Sequence, residues 1–320
     1  MKPEILITTP IKHINGLEDI LKKEFNLFME EETPISKLKE SKKIIATFTN
    51  PNQLTYNLDK NFFNLYPSLK IICTASTGTN HIDKDECFKR NIKIISITEE
   101  RDTINKISST AEHAFALTLS ALRNIPFAFN SVKDGKWAYT PFIGRQFSEL
   151  TIGVIGYGRL GKFYSNYCDS FGAKILVYDP NTDVVHPRII RVHSLNEIAL
   201  NCDVVSLHAH VNKSTIHLID KEFFKDTKEN LLLVNTSRGE IVKEKDLLKF
   251  LKLRPKMKYA TDVLEGEFTL EDSKYLIDYA KKTSQVIITP HIAGMTSEAQ
   301  EIAYKKAAEL LIRAKKEFLS

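Results

Sequence analysis

Three polar stretches in the second half of the chain each follow an apolar run, and each carries a side chain suited to proton or charge transfer. Arg238 comes first, two carboxylates at Glu265 and Glu267 follow, and His291 comes last. Hydride transfer from a secondary alcohol needs a base for the hydroxyl proton, a cation for the developing carbonyl and carboxylate, and a group that tunes the base. A single arginine or glutamate after a strand more often belongs to a surface ion pair. The ordered set of three is what indicates this chemistry.

A glycine pattern lies upstream of these stretches and follows the apolar run 151–155. Gly156, Gly158 and Gly161 form G-x-G-x-x-G, whose glycines allow a tight turn, close backbone approach to a pyrophosphate and packing of a helix on a strand. The next residues predict a helix that ends near Gly172 and places partial positive charge at the phosphates. Its apolar face would consist of Leu160, Phe163, Tyr164, Tyr167, Cys168 and Phe171. The turn therefore predicts a dinucleotide site.

A carboxylate at the end of the next apolar run favours one dinucleotide over the other. The run 174–178 is followed by Asp179, whose carboxylate would accept a hydrogen bond from the ribose 2′-hydroxyl of a dinucleotide. A negative charge there favours NAD over NADP. No arginine stands among the residues that directly follow, which are Pro180, Asn181 and Thr182. We therefore expect NAD as the cofactor.

Elements that could position these residues recur along the whole chain. Short apolar runs rich in β-branched residues alternate with helical patterns, which is typical of parallel sheets covered by crossover helices. We therefore predict an α/β fold with two sets of parallel strands. The runs of the first set are 5–8, 43–48, 69–75 and 92–97. The runs of the second set are 151–155, 174–178, 203–208, 230–235, 258–262 and 285–289.

Length and patterning predict two domains. The chain has 320 residues, and single cores tend to stop growing near ~250 residues. Between the two sets of strands lies the segment 108–123, which is almost entirely apolar and predicts a helix that crosses between the domains. An arm through residues 135–139 follows it. The apolar surface of this helix and arm predicts a homodimer.

Composition argues against several other classes of protein. The net charge is +5, from 45 basic and 40 acidic residues scattered along the chain, so nucleic acid is not an expected partner. No apolar run approaches ~18 residues and no signal-peptide pattern opens the chain, so we expect neither a membrane protein nor an exported one. His208 and His210 lack further ligand neighbours, so we expect no metal. Four widely spaced cysteines fit a reducing cytoplasm.

The motifs together resemble the D-isomer-specific 2-hydroxyacid dehydrogenases over nearly the whole chain. The resemblance is specific, because its motifs occur at six places in the same order. They are the 76–83 stretch STGTNHID, the 110–113 stretch TAEH, the glycine turn, the 235–239 loop NTSRG, the 262–267 stretch DVLEGE and the 290–294 loop PHIAG.

This family likeness implies a fold and a domain arrangement. It implies two doubly wound parallel-sheet domains, with a Rossmann-type cofactor domain inserted into a flavodoxin-like substrate domain. The substrate domain would comprise residues 1–104 and 292–320, and the NAD-binding domain would comprise residues 105–291. The insertion follows from the position of the glycine turn in the middle of the chain.

The resemblance also implies roles for the candidate residues. Arg238 would bind the carboxylate and carbonyl oxygen of a small 2-oxo or 2-hydroxy acid, and His291 would exchange the hydroxyl proton. A glutamate would hydrogen-bond His291 and stabilise its charged form. The spacing of the family motif selects Glu267, but the family usually has proline next, where this chain has Phe268, so Glu265 competes for the role.

Binding residues are implied in the same way. The substrate carboxylate would be held by the segment made of Ser76, Thr77 and Gly78, together with Arg238. Besides the three glycines of the turn and Asp179, the cofactor would be lined by Thr77, Thr110, Arg159, Leu160, His208, Ala209, Thr236 and Asp262.

Two departures from the family bear on the substrate. Many relatives that act on phosphorylated substrates carry an arginine after the second strand of the first domain, whereas residues 46–51 here read ATFTNP. The stretch 98–107 is more charged than the usual loop, and its Arg101 fits an exposed charge better than a substrate ligand. We therefore expect simple 2-oxo acids ahead of 3-phosphoglycerate.

Two other functions fit parts of the sequence. The same fold could act as a non-enzymatic NAD-sensing binding protein, but the intact Arg, Glu and His argue against this. Tyr56 and Lys60 match the Tyr-x-x-x-Lys pattern of short-chain dehydrogenases, but they precede the glycine turn, on the wrong side for that family. We treat that match as chance.

Overall fold

The structure is a computed structural model that describes residues 2–31, 33–51, 56–184, 186–267 and 273–318. The chain divides into two compact units. The first consists of Met1–Ile107 and Gly294–Ser320, and the second of Ser108–Ala293. In sequence, the second unit is therefore inserted between two pieces of the first.

The strands are short and most are buried, as expected for parallel sheets covered on both faces. Within the described residues they are β1 Glu4–Ile7, β2 Asn26–Met29, β3 Ile44–Thr49, β4 Ile71–Thr74, β5 Lys93–Ser96, β6 Thr151–Ile155, β7 Lys174–Tyr178, β8 Ile189–Arg191, β9 Val204–Leu207, β10 Leu232–Asn235, β11 Lys258–Thr261 and β12 Val286–Ile288.

Helices connect most consecutive strands, which gives the crossovers that parallel pairing needs. Within the described residues they are α1 Leu17–Glu24, α2 Lys60–Leu65, α3 Lys84–Lys89, α4 Arg101–Ile104, α5 Ser109–Leu122, α6 Ile125–Lys133, α7 Arg159–Ser170, α8 Leu195–Asn201, α9 Lys221–Lys225, α10 Glu244–Leu253, α11 Lys274–Ala280 and α12 Ser297–Phe318.

The first unit is built on a parallel sheet in the order β2-β1-β3-β4-β5. This is the flavodoxin-like strand order. Alternate residues of β1 serve opposite faces: Ile5 and Ile7 belong to one hydrophobic cluster and Leu6 to the other. The last helix, α12, covers the first of these faces with buried residues that include Tyr304 and Leu311.

The second unit is built on a parallel sheet in the order β12-β11-β10-β9-β6-β7-β8. Its strands run outward from β6 in both directions, as in a Rossmann fold, with the reversal of strand order between β6 and β9. Both faces are covered, since Val205 and Leu207 of β9 belong to one cluster and Val204 to the other. Together the two sheets confirm the predicted α/β class.

Two strands, β2 and β8, were not predicted. Each lies at an edge of its sheet and is partly exposed, and its apolar run is short, with residues 27–29 in β2 and residues 189–190 in β8. In β2 the exposed Asn26 and Phe28 alternate with half-buried residues, and β8 is only three residues long.

The predicted crossing helix corresponds to α5, which belongs wholly to the second unit. Its apolar residues, among them Ala114, Leu117 and Ala121, are buried in the core of that unit against β10, β11 and α7. The buried residues of α5 thus pack within its own unit, and a dimer formed through this helix stays a prediction. The exposed apolar side chains lie just beyond it, on α6 and the arm that follows.

No helix within the described parts of the chain is long and apolar enough to span a membrane.

Candidate active site

The three chemically important loops leave the second sheet from neighbouring strands. In the order β12-β11-β10 the strands are parallel, so their carboxyl ends lie at one edge. Arg238 follows β10, Glu267 follows β11 and His291 follows β12. Ligands of open α/β sheets bind outside this edge. The structure therefore brings the three predicted side chains to the same edge of one sheet.

The loop of Arg238 is shaped by the last residue of β10. The fully buried amide of Asn235 accepts a hydrogen bond from the backbone N–H of Ser237 at 3.0 Å and donates one to the carbonyl of Arg238 at 2.9 Å. The hydroxyl of Ser237 donates to the carbonyl of Leu207 at 2.7 Å, which ties the loop to β9. An asparagine at this position thus fixes the backbone from which the Arg238 side chain leaves.

The guanidinium of Arg238 is half-buried and forms no ion pair with the described residues. Its Nη1 donates to the carbonyl of Ser237 at 2.6 Å. Among the residues that the structure describes, no carboxylate lies within 4.0 Å of this guanidinium. Because a partly desolvated cation gains most from an anionic partner, Arg238 is suited to bind a substrate carboxylate.

The loop of His291 is organised by a buried carboxylate. Asp262 is 1% exposed and accepts hydrogen bonds from the N–H groups of Ile292 at 2.9 Å and Ala293 at 2.8 Å. Thr289 donates its hydroxyl to the same carboxylate at 2.5 Å. His291 itself has a positive φ of 53°, an uncommon backbone conformation that these bonds maintain.

The two candidate glutamates have different histidine partners. Oε1 of Glu267 lies 2.8 Å from Nδ1 of His291, and the two side chains are 25% and 26% exposed. Oε1 of Glu265 lies 2.7 Å from Nε2 of His217. Glu267 is therefore the carboxylate beside His291. Phe268, which departs from the family pattern, lies outside the described residues.

The glycine turn leaves no room for side chains at two of its three glycines. Gly156 has a φ of +92°, and a Cβ there would lie 2.7 Å from the backbone of His208. A Cβ on Gly161 would lie 2.1 Å from the carbonyl oxygen of Gly156. Nothing lies within 4 Å of a Cβ built on Gly158, whose surroundings are open. The turn therefore offers exposed backbone at Gly158 for a ligand to approach.

Helix α7 begins at Arg159, directly after Gly158. The predicted apolar face is largely correct, since Tyr164 and Cys168 are fully buried and Leu160, Phe163 and Tyr167 pack against the same cluster, whereas Phe171 is 51% exposed. The helix ends at Ser170, close to the predicted position, and Gly172 has a φ of +80°. Its N-terminus lies at the turn, where helix N–H groups favour an anion.

Asp179 is joined to the glycine turn by hydrogen bonds. Its carboxylate accepts from the N–H of Tyr157 at 2.7 Å and from the N–H of Asn181 at 2.8 Å. Sequence reasoning missed a nearby cation, because Arg191 comes from β8: its guanidinium reaches the carbonyl of Asp179 at 3.4 Å and the carboxylate of Asp183 at 2.6 Å. The unpredicted edge strand explains the omission.

Two buried polar atoms at the same edge have no hydrogen-bond partner among the described residues. They are Nδ1 of His208 and the hydroxyl of Thr236. Burial lowers the pKa of His208 to about 3, so its ring is neutral, and its Nε2 lies 2.9 Å from the hydroxyl of Ser206. Polar atoms left unsatisfied at a site are commonly completed by a ligand. Together with the open Gly158, they fit a bound dinucleotide.

The other residues predicted to line the cofactor lie on the same unit, with one exception. Thr110 is half-buried in the first turn of α5, and Ala209 follows β9. Thr77 belongs to the first unit, where Ser76, Thr77 and Gly78 follow β4. There the hydroxyl of Ser76 donates to the carbonyl of Gly78 at 2.8 Å, and Thr98 donates to the carbonyl of Thr77 at 3.0 Å.

In the part of the chain that the structure describes, no group of three or more His, Cys, Asp and Glu side chains could hold a metal ion.

Comparison with known proteins identifies the family. The model of the D-isomer-specific 2-hydroxyacid dehydrogenase NAD-binding domain matches residues 115–293. D-3-phosphoglycerate dehydrogenase of Bacillus subtilis is 34% identical over 80% of this chain, but the match covers 47% of that protein. The chain thus spans about half the length of several curated relatives. Glyoxylate reductase of Pyrococcus furiosus is 30% identical over 99% of this chain and 93% of its own length.

Solved structures agree with this assignment. D-lactate dehydrogenase from Aquifex aeolicus, solved with NAD and lactic acid, has a TM-score of 0.81 and 28% identity, and the match covers 98% of this chain and 96% of that one. A pyruvate reductase of Chlamydomonas reinhardtii has a TM-score of 0.84 at 20% identity, with 99% and 97% coverage, which shows the shared fold.

These matches confirm the resemblance seen in the sequence, and with it an NAD-binding domain. Members of the family are NAD-dependent oxidoreductases that act on the CH–OH group of 2-hydroxy acids. The relatives named above are all enzymes and lend no support to a non-enzymatic NAD sensor. The chain belongs to the D-isomer-specific 2-hydroxyacid dehydrogenase family.

Proposed function

We propose that this chain is an NAD-dependent dehydrogenase that interconverts a small 2-oxo acid and its D-2-hydroxy acid. One observation carries the proposal: His291 is paired with Glu267 at 2.8 Å at the same sheet edge as Arg238, whose half-buried guanidinium has no carboxylate partner among the described residues. The reaction requires the protein to supply an acid–base group and a cation that binds the anionic substrate.

The dinucleotide would be held by the second unit. Backbone N–H groups of the turn from Gly156 to Gly161, with Arg159 and Leu160 at the start of α7, would bind the pyrophosphate. Asp179 would bind the ribose hydroxyls, and Thr110, His208, Ala209, Thr236 and Asp262 would line the remaining surface. Bound NADH would supply a hydride to the carbonyl carbon of the substrate.

Arg238 would bind the carboxylate and the carbonyl oxygen of the substrate and thereby orient the carbonyl carbon. His291, in its protonated form, would give a proton from Nε2 to the oxygen as the alcohol forms. Glu267 accepts the hydrogen bond from Nδ1, which selects the ring orientation and stabilises the positive charge on the imidazole. In the reverse direction the neutral imidazole would remove the hydroxyl proton.

The two units would divide the binding of ligands. We propose residues 105–291 as the NAD-binding domain, and residues 1–104 with 292–320 as the substrate domain. The loop of Ser76, Thr77 and Gly78 would bind the substrate carboxylate through its backbone amides.

The substrate would be a simple 2-oxo acid and not a phosphorylated one. In the first unit, β3 ends on Thr49 and is followed by Asn50, which is 2% exposed and donates to the carbonyl of Ala75 at 3.4 Å. The hydroxyls of Thr47 and Thr49 are buried without a hydrogen-bond partner in the described residues. Neutral hydroxyls and amides suit a small polar group, whereas a phosphate favours arginine or lysine.

A screen of NADH oxidation with glyoxylate, hydroxypyruvate, pyruvate and branched 2-oxo acids tests this proposal, together with 3-phosphoglycerate and NAD in the reverse direction. We expect turnover of at least one unphosphorylated 2-oxo acid and a lower kcat/KM for 3-phosphoglycerate. Absence of turnover with every acid would contradict the proposed activity. A preference for 3-phosphoglycerate would contradict only the proposed substrate.

We also propose that the protein is a homodimer in the cytoplasm. A stripe on α6, made of Ile125, Phe129 and Val132, is between 51% and 62% exposed. The arm beyond it exposes Trp137 by 92% and Tyr139 by 82%. Contiguous exposed apolar side chains of this size are typical of protein interfaces. The four cysteines are buried free thiols, which suits a reducing compartment.

A further inference from the structure

A second histidine–glutamate pair lies next to the pair formed by His291 and Glu267. Nε2 of His217 lies 2.7 Å from Oε1 of Glu265, two residues before Glu267. The side chains are 38% and 29% exposed. Ion pairs this exposed contribute little to folding stability, so stability alone does not explain the arrangement.

His217 also contacts the loop that carries Arg238. Its backbone N–H donates to the carbonyl of Glu240 at 2.8 Å. Two residues later, Ile219 donates to the carbonyl of Ile241 at 3.0 Å and accepts from the N–H of Lys243 at 2.9 Å. His217 has a φ of +53°, an uncommon conformation for a residue other than glycine. The backbone of His217 is therefore hydrogen-bonded to the loop of Arg238, while its side chain contacts Glu265 in the loop of Glu267.

The two loops touch directly at Gly239, the residue after Arg238. A Cβ on Gly239 would lie 2.0 Å from the carbonyl carbon of Leu264 and 2.2 Å from the nitrogen of Glu265. The peptide bond between Leu264 and Glu265 is thus packed against the Gly239 backbone. A small displacement of one loop must be transmitted to the other, because no side chain separates them.

Glu265 is anchored through its backbone as well. Its N–H donates to Oε1 of the fully buried Glu244 at 2.9 Å. The other oxygen of Glu244 accepts from the hydroxyl of Ser273 at 2.8 Å, and that hydroxyl also contacts the carbonyl oxygen of Glu265. Glu267, by contrast, is held by His291 and by a 3.5 Å contact with the N–H of Leu264.

We propose that His217 and Glu265 are positioning residues that hold the loops of Arg238 and Glu267 in the relative arrangement that the reaction needs. The pair acts through the loop backbones and touches no reacting atom. The inference rests on the proposed function, because it assigns the pair to the same reaction. Misplacement of reacting groups by about 1 Å lowers rates up to a hundredfold, so a weak ion pair can have a large effect on turnover.

The test compares alanine and glutamine variants in the full-length protein with NADH and the best 2-oxo acid. We expect His217→Ala and Glu265→Ala to lower kcat by about ten- to hundredfold, while the Kd for NADH stays within twofold. The double variant should be no slower than the slower of the two single variants, since each single variant already removes the contact between His217 and Glu265. Glu265→Gln keeps an acceptor for His217 and should restore most of kcat. Glu222→Ala, which removes an exposed partner of Lys225 on α9, is the matched control.

Rescue by the conservative variant separates positioning from general loss of structure, because Glu265→Gln differs from Glu265→Ala in keeping the acceptor for His217. A wild-type kcat in either alanine variant would overturn the proposal, as would fully additive losses in the double variant.

A readout without turnover distinguishes this proposal from the proposed function. We expect faster backbone hydrogen exchange in the segments 238–241 and 262–267 of His217→Ala than in the wild type, with unchanged exchange in the first unit. A wild-type protein that reduces no 2-oxo acid would contradict the proposed function. Unchanged hydrogen exchange in both segments of His217→Ala would overturn the positioning role, whether or not the wild type is active. If an alanine variant does not fold, the same comparison is made with His217→Gln.

Discussion

The imidazole of His291 and the carboxylate of Glu267 lie 2.8 Å apart, from Nδ1 to Oε1, although they follow different strands of the second sheet. This contact fixes the orientation of the imidazole ring, with Nδ1–H donating to the carboxylate. Nε2, on the opposite side of the ring, is then the nitrogen that exchanges a proton with the substrate. The proposed chemistry depends on this relationship.

Replacement of Glu267 by alanine tests that relationship. Alanine removes the acceptor that faces Nδ1 of His291, so the ring orientation is no longer fixed, and kcat for reduction of a 2-oxo acid should fall by about ten- to hundredfold. Glu267→Gln still offers an acceptor and should retain more activity than Glu267→Ala. Glu222→Ala on α9 is the control and should keep the wild-type kcat. A wild-type kcat in Glu267→Ala would contradict the role of Glu267.

Asp179 should determine the choice of dinucleotide. In Asp179→Ala, loss of hydrogen bonds to a charged group should weaken NADH binding by about 1.5–3 kcal/mol, which is more than tenfold in Kd. NADPH should lose less binding free energy, because the substitution removes a negative charge near its 2′-phosphate while Arg191 remains close by. Fluorescence titration measures both constants, with Asp85→Ala in the first unit as a control. Equal losses for the two dinucleotides would remove Asp179 from the ribose site.

The glycines of the turn should differ in what they tolerate. In Gly161→Ala the new Cβ meets the carbonyl of Gly156, so the turn must shift and the melting temperature should fall. In Gly158→Ala the Cβ enters open space, so the fold should be unaffected while NADH binding weakens, since the methyl group occupies the space of the ligand. Thermal melts and NADH titration of both variants check this. Wild-type NADH affinity in Gly158→Ala would show that the dinucleotide does not approach there.

The exposed stripe on α6 should be part of the dimer interface. Phe129 is 62% exposed, and an aspartate there would bury a charge if the stripe were covered by a second copy. Phe129→Asp should therefore shift the mass measured by light scattering from that of a dimer to that of a monomer. Phe88→Asp, at an 88% exposed site on the first unit, should leave the dimer intact. A monomeric wild-type protein would refute the interface.

His208 should make the folded protein sensitive to acid. Burial lowers its pKa to about 3 in the folded state, whereas an unfolded chain has a histidine pKa near ~6.5. The unfolded state therefore binds the proton first. This contribution to stability is complete above pH ~6.5 and falls as the pH drops toward 3, by at most about 1.4 kcal/mol per pH unit.

Denaturant unfolding of the wild type and His208→Gln between pH 7 and pH 4 measures this effect. The wild type should lose more stability than the variant over that interval. His210→Gln, at an exposed position two residues away, controls for the substitution itself. Parallel stability curves for the wild type and His208→Gln would show that His208 is not kept neutral by burial.

The sequence predicted the buried strands well, because strands covered on both faces appear as continuous apolar runs. The runs 151–155 and 174–178 coincide with β6 and β7. The edge strands β2 and β8 were missed, since one face of each is exposed and the apolar run is short. The omission had a consequence at the ribose site, where Arg191 of β8 reaches Asp179.

The chemistry of the candidate site could be predicted from residue types and order, but not the pairing within it. Glu265 and Glu267 stand on the same loop with the same side chain, so sequence alone left both open as partners of His291. The structure separates them through His217, which is distant in sequence and binds Glu265. The sequence also left open whether α5 is buried in one unit or shared between two bodies, because an apolar helix has the same pattern in both cases.

The most direct test of the proposed function compares the wild type with His291→Ala. We expect NADH-dependent reduction of the best 2-oxo acid to fall by at least about a hundredfold in kcat, the range for loss of general acid–base catalysis. The Kd for NADH should remain within twofold of the wild-type value. Wild-type turnover in folded His291→Ala would contradict the assignment of His291 as the proton donor, and with it the mechanism proposed for this site.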